Sequence, residues 1–197
     1  MSDFRQSVEQ IIAAGTELYR LGMVPATSGN FSMRMDDGNI AITVSGTHKG
    51  KLSEQDIMQI NPAGESLDGK TPSAETLLHT QIYQNLPDVN AVLHPHMMSA
   101  ILVAQRSREH IKLEDYELLK ALEGIRTHNV KILVPVFNND QDIARLAKKI
   151  QISFDNLDPI YAYIIAGHGL YTWGRTMDAA LRHVEALDYL FQCQVQS

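Results

Sequence analysis

Apolar strands and amphipathic helices alternate along this chain from one end to the other, and no linker interrupts them. Residues 4–21 carry Val8, Ile11, Ile12, Leu18 and Leu21 at helical spacing. "FSMRM" and "IAITVS" flank "DDGN", an alternating pair about a turn that predicts a β-hairpin. "IMQINPAGE" reads as a further strand and turn, and "TPSAETLLHTQIYQNLP" as a helix opened by Pro72 and Ser73 and stopped by Pro87. "VNAVL" is a buried strand followed by a helix over residues 98–105. "EDYELLKAL" reads as helical, and "VKILVPV" as a strand with Pro135 near its end. A helix over residues 140–150 follows, then two strands in "IYAYIIAGHGLYTWG" meeting at Gly-His-Gly, then a last helix capped by Thr176. There is no repeat and no low-complexity tract. Interleaving of this kind predicts one α/β domain over residues 1–197, and the early hairpin makes its sheet mixed, with a large antiparallel share.

A chain of 197 residues is long enough for a substantial core. Its formal net charge of −6 argues against a nucleic-acid or anionic-membrane partner, so an anionic substrate needs a local cluster of donors. The single cysteine, Cys193, suits a reducing compartment. "MSDFRQSVEQ" lacks the regions of a signal peptide, and no apolar run approaches membrane-spanning length. These features predict a cytoplasmic protein.

Three of the eight histidines stand out. His94 and His96 are two residues apart at the end of an apolar run, and a strand points such residues to one face. They make half a zinc site, or two imidazoles at the rim of a core. His168 follows the apolar run "YAYIIA" between Gly167 and Gly169, where it is either a turn histidine or a third ligand at a strand end. His79, His110, His128 and His183 read as surface or satisfied core residues.

Phosphate chemistry has three candidate segments. "SGN" offers Gly29 and Asn30, "SGTHKG" offers Ser45, Gly46 and Lys49, and "PSAE" offers Ser73 at the expected helix start. Each is also an ordinary turn or cap. "SGTHKG" lacks the spacing and following helix of a P-loop. Two glutamates are candidates for acid–base work. Glu75 is also explained as a helix-start acid, and Glu117 as a surface partner of Lys120.

Taken in order, "TSGN", "VSGTHKG", "PSAE", "HPH" and "GHG" resemble the motifs of the class II aldolase/adducin family over nearly the whole chain. The resemblance implies a single-domain α/β/α sandwich around a central mixed, largely antiparallel sheet. It further implies one zinc per subunit on His94, His96 and His168, and a phosphate held by Gly29, Asn30, Ser45, Gly46 and Ser73, with Lys49 as an added cation. "GHGLYTWG" and "EALDYLF" are similar to a dehydratase branch of that family, whose substrate is a small phosphorylated ketose bearing a methylthio group. On that likeness Glu117 is the principal acid/base and Glu75 an assisting residue near the metal, in a homo-oligomer, most simply a tetramer. An aldolase or epimerase on another sugar phosphate is the nearest alternative. A non-catalytic adducin-like domain is the other, although that version lacks the three histidines.

Overall fold

A computed structural model describes residues 3–107, 109–157 and 159–196. Eight strands form one sheet: β1 (Asn30–Arg34), β2 (Ile40–Thr43), β3 (Ile57–Ile60), β4 (Ala91–His94), β5 (His110–Glu114), β6 (Lys131–Phe137), β7 (Ala162–Ile165) and β8 (Gly169–Gly174). Their order is β3-β2-β1-β4-β8-β7-β6-β5, and among the described residues only the β6–β7 pair is parallel. Five α-helices among the described residues complete the fold: α1 (Phe4–Arg20), α2 (Thr76–Asn85), α3 (Met98–Val103), α4 (Ile143–Asn156) and α5 (Met177–Gln196). The expected mixed, largely antiparallel α/β/α sandwich is present.

Strand alternation sorts the core into two layers. Leu93, Ile164 and Leu170 face α1, α3 and α5, which bury Ile11, Leu18, Val103, Leu187 and Leu190 against them. Their strand neighbours Val92, Tyr163 and Tyr171 face α2 and α4, against Leu78, Ile82, Leu146 and Ile150. Among the described residues no helix is long and apolar enough to cross a membrane.

Local chemistry explains the boundaries. Asp3 accepts from the Gln6 amide at 2.8 Å and caps α1, and Asp142 does the same for α4 through Arg145 at 2.9 Å. Thr176 accepts from the Ala179 amide at 3.1 Å, as a cap for α5. Three expectations differ in detail. Helix α2 starts at Thr76, so Glu75 is its N-cap position and Ser73 lies in the turn before it. "EDYELLKAL" forms only a short 3-10 turn at Glu117–Ala121, because the pattern that marks an amphipathic helix also fits one tighter turn packed through Leu119. Strand β5 was not expected: "HIKLE" buries only Ile111 and Leu113, and it is an edge strand whose pairing with β6 ends at Pro135.

The centre of the fold is the approach of β4 to β8. The Leu170 amide donates to the Pro95 carbonyl at 3.0 Å just past the end of β4. A Cβ on Gly169 would sit 2.5 Å from that carbonyl oxygen and 3.0 Å from ring carbons of both His94 and His96. We expect Gly169→Ala to cost about 1–3 kcal/mol as overpacking, lowering the melting temperature by several degrees. Metal affinity should fall in the same variant, and wild-type affinity by chelator competition would refute the role given to this contact.

Candidate metal centre and active site

Strand β4 delivers His94 fully buried, and Pro95 turns the chain so that His96 returns to the same point. His168 arrives from the opposite side on the tight turn between β7 and β8, where its own amide donates to the Ile165 carbonyl at 3.0 Å. The three Nε2 atoms converge. His94 Nε2 is 3.0 Å from His96 Nε2 and 3.3 Å from His168 Nε2, and all three ligand atoms lie within 4.8 Å of one another. Imidazoles bound to a tetrahedral ion at about 2.0–2.1 Å place their nitrogens about 3.3 Å apart, so the spacing fits a metal.

The tautomer agrees. His94 Nδ1–H donates to the Leu170 carbonyl at 2.8 Å, which leaves the Nε2 lone pair facing the other two rings. Its ring stacks on Tyr171 at 3.9 Å, which fixes the plane. Burial pushes the His94 imidazolium well below its usual range, and burial, aided by His168 and Lys49, pushes His96 down to about 4. Neutral imidazoles at physiological pH are what a metal site requires.

Glu75 stands beside the triad. Its Oε1 is 3.1 Å from His168 Nε2 and 3.8 Å from His94 Nε2. Its Oε2 accepts from Asn30 Nδ2 at 2.5 Å. Asn30 opposes His94 in the β1–β4 register, and Gly29 before it has φ +78° and packs where a Cβ would meet the His94 carbonyl oxygen at 2.5 Å. Glycine is therefore required there on both counts.

The three segments read as phosphate candidates are tied together at this same place. Buried Lys49 donates to the carbonyls of Thr47 at 2.7 Å and Thr27 at 3.3 Å, joining the second segment to the first. The Asn30–Glu75 contact joins the first to the third. Ser45 and Gly46 are exposed in the turn after β2, and Ser73 is partly buried and accepts weakly from the Glu75 amide at 3.3 Å. Ser28 Oγ, His48 Nδ1 and Thr76 Oγ1, all within or next to these segments, are buried without a hydrogen-bond partner. Burial pushes the Lys49 ammonium down to about 8, against the pull of Glu75 and Asp56.

Glu117 is elsewhere. Its exposed carboxylate pairs with Lys120 at 2.5 Å and with His128 at 3.6 Å, not with the triad. Its neighbours in a surface groove include Tyr116, Leu118, Arg182 and Tyr189. His183, read from sequence as unremarkable, is a buried structural pin: its Nδ1–H donates to the Trp173 carbonyl at 2.7 Å and its Nε2 accepts from the Glu123 amide at 2.9 Å. Sequence reasoning also passed over His79, Ser32 and Tyr83, which form a buried hydrogen-bonded chain behind Asn30. The available signal was spacing: Glu75, His79 and Tyr83 are four apart, on one helix face, while Asn30 and Ser32 share one strand face.

Three histidines from two strand ends, a carboxylate at their side and a polar cradle define a metal-dependent class of α/β protein. This chain belongs to the class II aldolase and adducin N-terminal domain family, whose pattern it matches over residues 9–195. It is 56% identical to the methylthioribulose-1-phosphate dehydratase of Methylococcus capsulatus, over 99% of this chain and 96% of that one. It is 50% identical to the enzyme of the same name from Pseudomonas savastanoi pv. phaseolicola, over 100% and 97% of the two chains. Among solved structures, L-fuculose-1-phosphate aldolase from Thermus thermophilus shares the fold at a TM-score of 0.73, with 24% identity over 94% of this chain and 91% of that one. YgbL of Klebsiella pneumoniae, described as an aldolase/epimerase/decarboxylase candidate, shares it at 0.82, with 22% identity over 98% and 90%.

The buried histidines set a pH dependence of stability. Burial pushes His79 down to about 3 from an ordinary value of 6.5, so the unfolded chain binds its proton first as pH falls. Stability from this group is complete above pH 6.5 and is lost progressively between there and pH 3. At pH 5 the loss is about 2 kcal/mol from His79 alone. Denaturant unfolding of metal-free protein at pH 7.5 and pH 5 should show at least this loss, since His94 and His96 are lowered in the same direction, and equal midpoints would refute it. His168→Ala should lose bound metal, since three protein ligands are the minimum for a catalytic site.

Proposed function

We propose that the protein is a zinc-dependent dehydratase that converts 5-methylthioribulose 1-phosphate to 5-methylthio-2,3-diketopentyl 1-phosphate and water, a step of L-methionine salvage in the cytoplasm. The full-length likeness to the Methylococcus capsulatus dehydratase carries this reading. The intact histidine triad supports it and disfavours a non-catalytic adducin-like role.

His94, His96 and His168 would hold the zinc, which when bound would supply a Lewis acid for negative charge developing on the substrate. Gly29, Asn30, Ser45, Gly46 and Ser73 receive the phosphate. The buried, unpartnered hydroxyls of Ser28 and Thr76 support an anion site here, because orphaned polar groups are costly without a ligand. Lys49 adds a positive charge beside it. Glu117 takes the C3 proton and returns it to the departing C4 hydroxyl, which leaves as water. The enol left between C3 and C4 then tautomerises to the 2,3-diketone.

Glu117 is exposed on its own chain, so its part in the reaction is proposed through an adjacent copy in a homotetramer. A second reading has Glu75 as the base, in the manner of an aldolase. Its contact with His168 favours that assignment. Against it, both oxygens of the Glu75 carboxylate are already engaged, one beside His168 and the other by the Asn30 amide.

Incubation with the substrate and detection of the diketone tests the reaction. Cleavage to shorter fragments in place of diketone would make this an aldolase. Glu117→Gln should lower kcat by about 10²–10⁴-fold and stop exchange of the C3 proton with solvent, with zinc retained. Exchange abolished in Glu75→Gln but normal in Glu117→Gln would reverse the two roles. Ser45→Ala and Ser73→Ala should each raise KM by roughly tenfold or more, since each deletes a hydrogen bond to a charged group.

A further inference from the structure

The Glu75 carboxylate sits at the end of a hydrogen-bonded chain that runs deep into the α2 face of the sheet. Its members alternate between two elements. Glu75, His79 and Tyr83 come from successive turns along α2, and Asn30 and Ser32 from alternate positions of β1. Tyr83 OH is 2.8 Å from Ser32 Oγ, and Ser32 Oγ is 2.7 Å from His79 Nδ1. His79 Nε2 contacts Asn30 Oδ1, and Asn30 Nδ2 donates to Glu75 Oε2. Ser32 and His79 are wholly buried, and Asn30 and Tyr83 nearly so.

Only one direction of donation satisfies every member. An ionised carboxylate only accepts, so Asn30 must present its NH2 to Glu75 and its oxygen to His79. His79 must then carry its proton on Nε2, and its bare Nδ1 must accept from the Ser32 hydroxyl. That hydroxyl oxygen accepts in turn from Tyr83. Burial keeps the His79 ring neutral, which the two-sided role requires. The far end is fixed as well. The Arg34 guanidinium lies 4.8 Å over the Tyr83 ring, and Arg34 donates to the Tyr83 carbonyl at 2.8 Å.

We infer that His79, backed by Ser32 and Tyr83, is a positioning residue for the metal-side carboxylate: it fixes the orientation of the Asn30 amide, and through it the rotamer of Glu75 beside His94 and His168. Without the His79 N–H, the Asn30 amide is free to flip and present oxygen to a carboxylate, which repels it. The inference needs the proposed dehydration only for its kinetic readout.

The tautomer is read first, on the unaltered zinc-loaded protein, by ¹⁵N NMR of the imidazoles. His79 should be neutral with the proton on Nε2, and an Nδ1–H form would overturn the inference without any variant. His79→Gln keeps a donor toward Asn30 and an acceptor toward Ser32, whereas His79→Leu keeps neither. Loss of the partner behind a metal-side group costs about 10–100-fold in metal affinity or activity, so His79→Leu should lose about tenfold in zinc affinity or in kcat, with KM nearly unchanged. His79→Gln should stay within about threefold of the parent in both. A His79→Leu protein equal to the parent in zinc affinity and kcat, or Gln and Leu variants equally impaired, would reduce the chain to packing. Where His79→Leu does not fold, Ser32→Ala replaces it, with a smaller fall in kcat expected and none at all refuting the chain. An unaltered protein that leaves methylthioribulose 1-phosphate intact would sink the dehydratase reading alone, because the tautomer and zinc affinity still decide the role of His79.

Discussion

The structure turns on one close contact, where the chain leaving β4 meets the chain entering β8. Pro95 cannot donate a backbone hydrogen bond, but its carbonyl accepts from Leu170, and the Leu170 carbonyl accepts from the His94 ring at 2.8 Å. Two exchanges across so short a distance are possible only because residue 169 has no side chain. The same contact therefore closes the middle of the sheet, selects the His94 tautomer and brings three Nε2 atoms to a common point. Three imidazole nitrogens brought this close are the donor set a cation between them would take. The fold holds them there because the ladder on either side is anchored by the β4–β8 and β7–β8 pairings.

Around that point the site is assembled from elements with different periodicities. Alternate residues of β1 face α2, and every fourth residue of α2 faces β1, so the two interleave from Arg34 up to Glu75. This explains why polar residues can occupy the interior of this layer. Each of Asn30, Ser32, His79 and Tyr83 finds a partner on the opposite element, and a fully satisfied buried network stiffens the structure where a half-satisfied one would destabilise it. The orientation of Glu75 is thus a property of the β1–α2 packing, set some distance from the histidines. The opposite layer, lined by Leu93, Ile164 and Leu170 against α1, α3 and α5, is mainly apolar, with His183 as a buried pin between α5, Trp173 and Glu123.

Most of the architecture was legible from the chain because its signals are local. The hairpin between β1 and β2, the cap of α5, and the pairing of β7 with β8 about Gly-His-Gly all follow from residues within a few positions of one another. The convergence of His94, His96 and His168 was legible through motif order. The reason strand spacing gave was only half right, since His96 lies beyond the end of β4 and is brought back by the turn at Pro95. What escaped notice depends on tertiary context. β5 has too few apolar positions to be distinguished from a loop until β6 lies beside it. His79 looks like any core histidine until Ser32 and Asn30, some 50 residues away, are placed against it. Glu117 was assigned to an α-helix because a single 3-10 turn with one buried leucine carries the same i, i+3 pattern.

That last difference bears on how reactions diverge on a shared frame. Structures of other aldolase-like proteins at 22–24% identity reproduce the sheet and its helices, so the frame by itself does not choose among aldol cleavage, epimerisation and dehydration. The choice rests with a group that can move a proton, and the two carboxylates differ in how they are held. Glu75 is fixed by the β1–α2 chain and pressed against imidazole, an arrangement suited to orienting charge. Glu117 is exposed, and its hydrogen bond to Lys120 holds its carboxyl below the usual range, so it is ionised at neutral pH. Covered by a second copy, as proposed, it would lose water, and desolvation raises a carboxyl group's pKa. Lys120 and His128 oppose that rise. A base that must first take a proton and then return it to a leaving hydroxyl works best when the two effects leave it near neutrality, so its strength would be set by assembly and not by the fold of one chain.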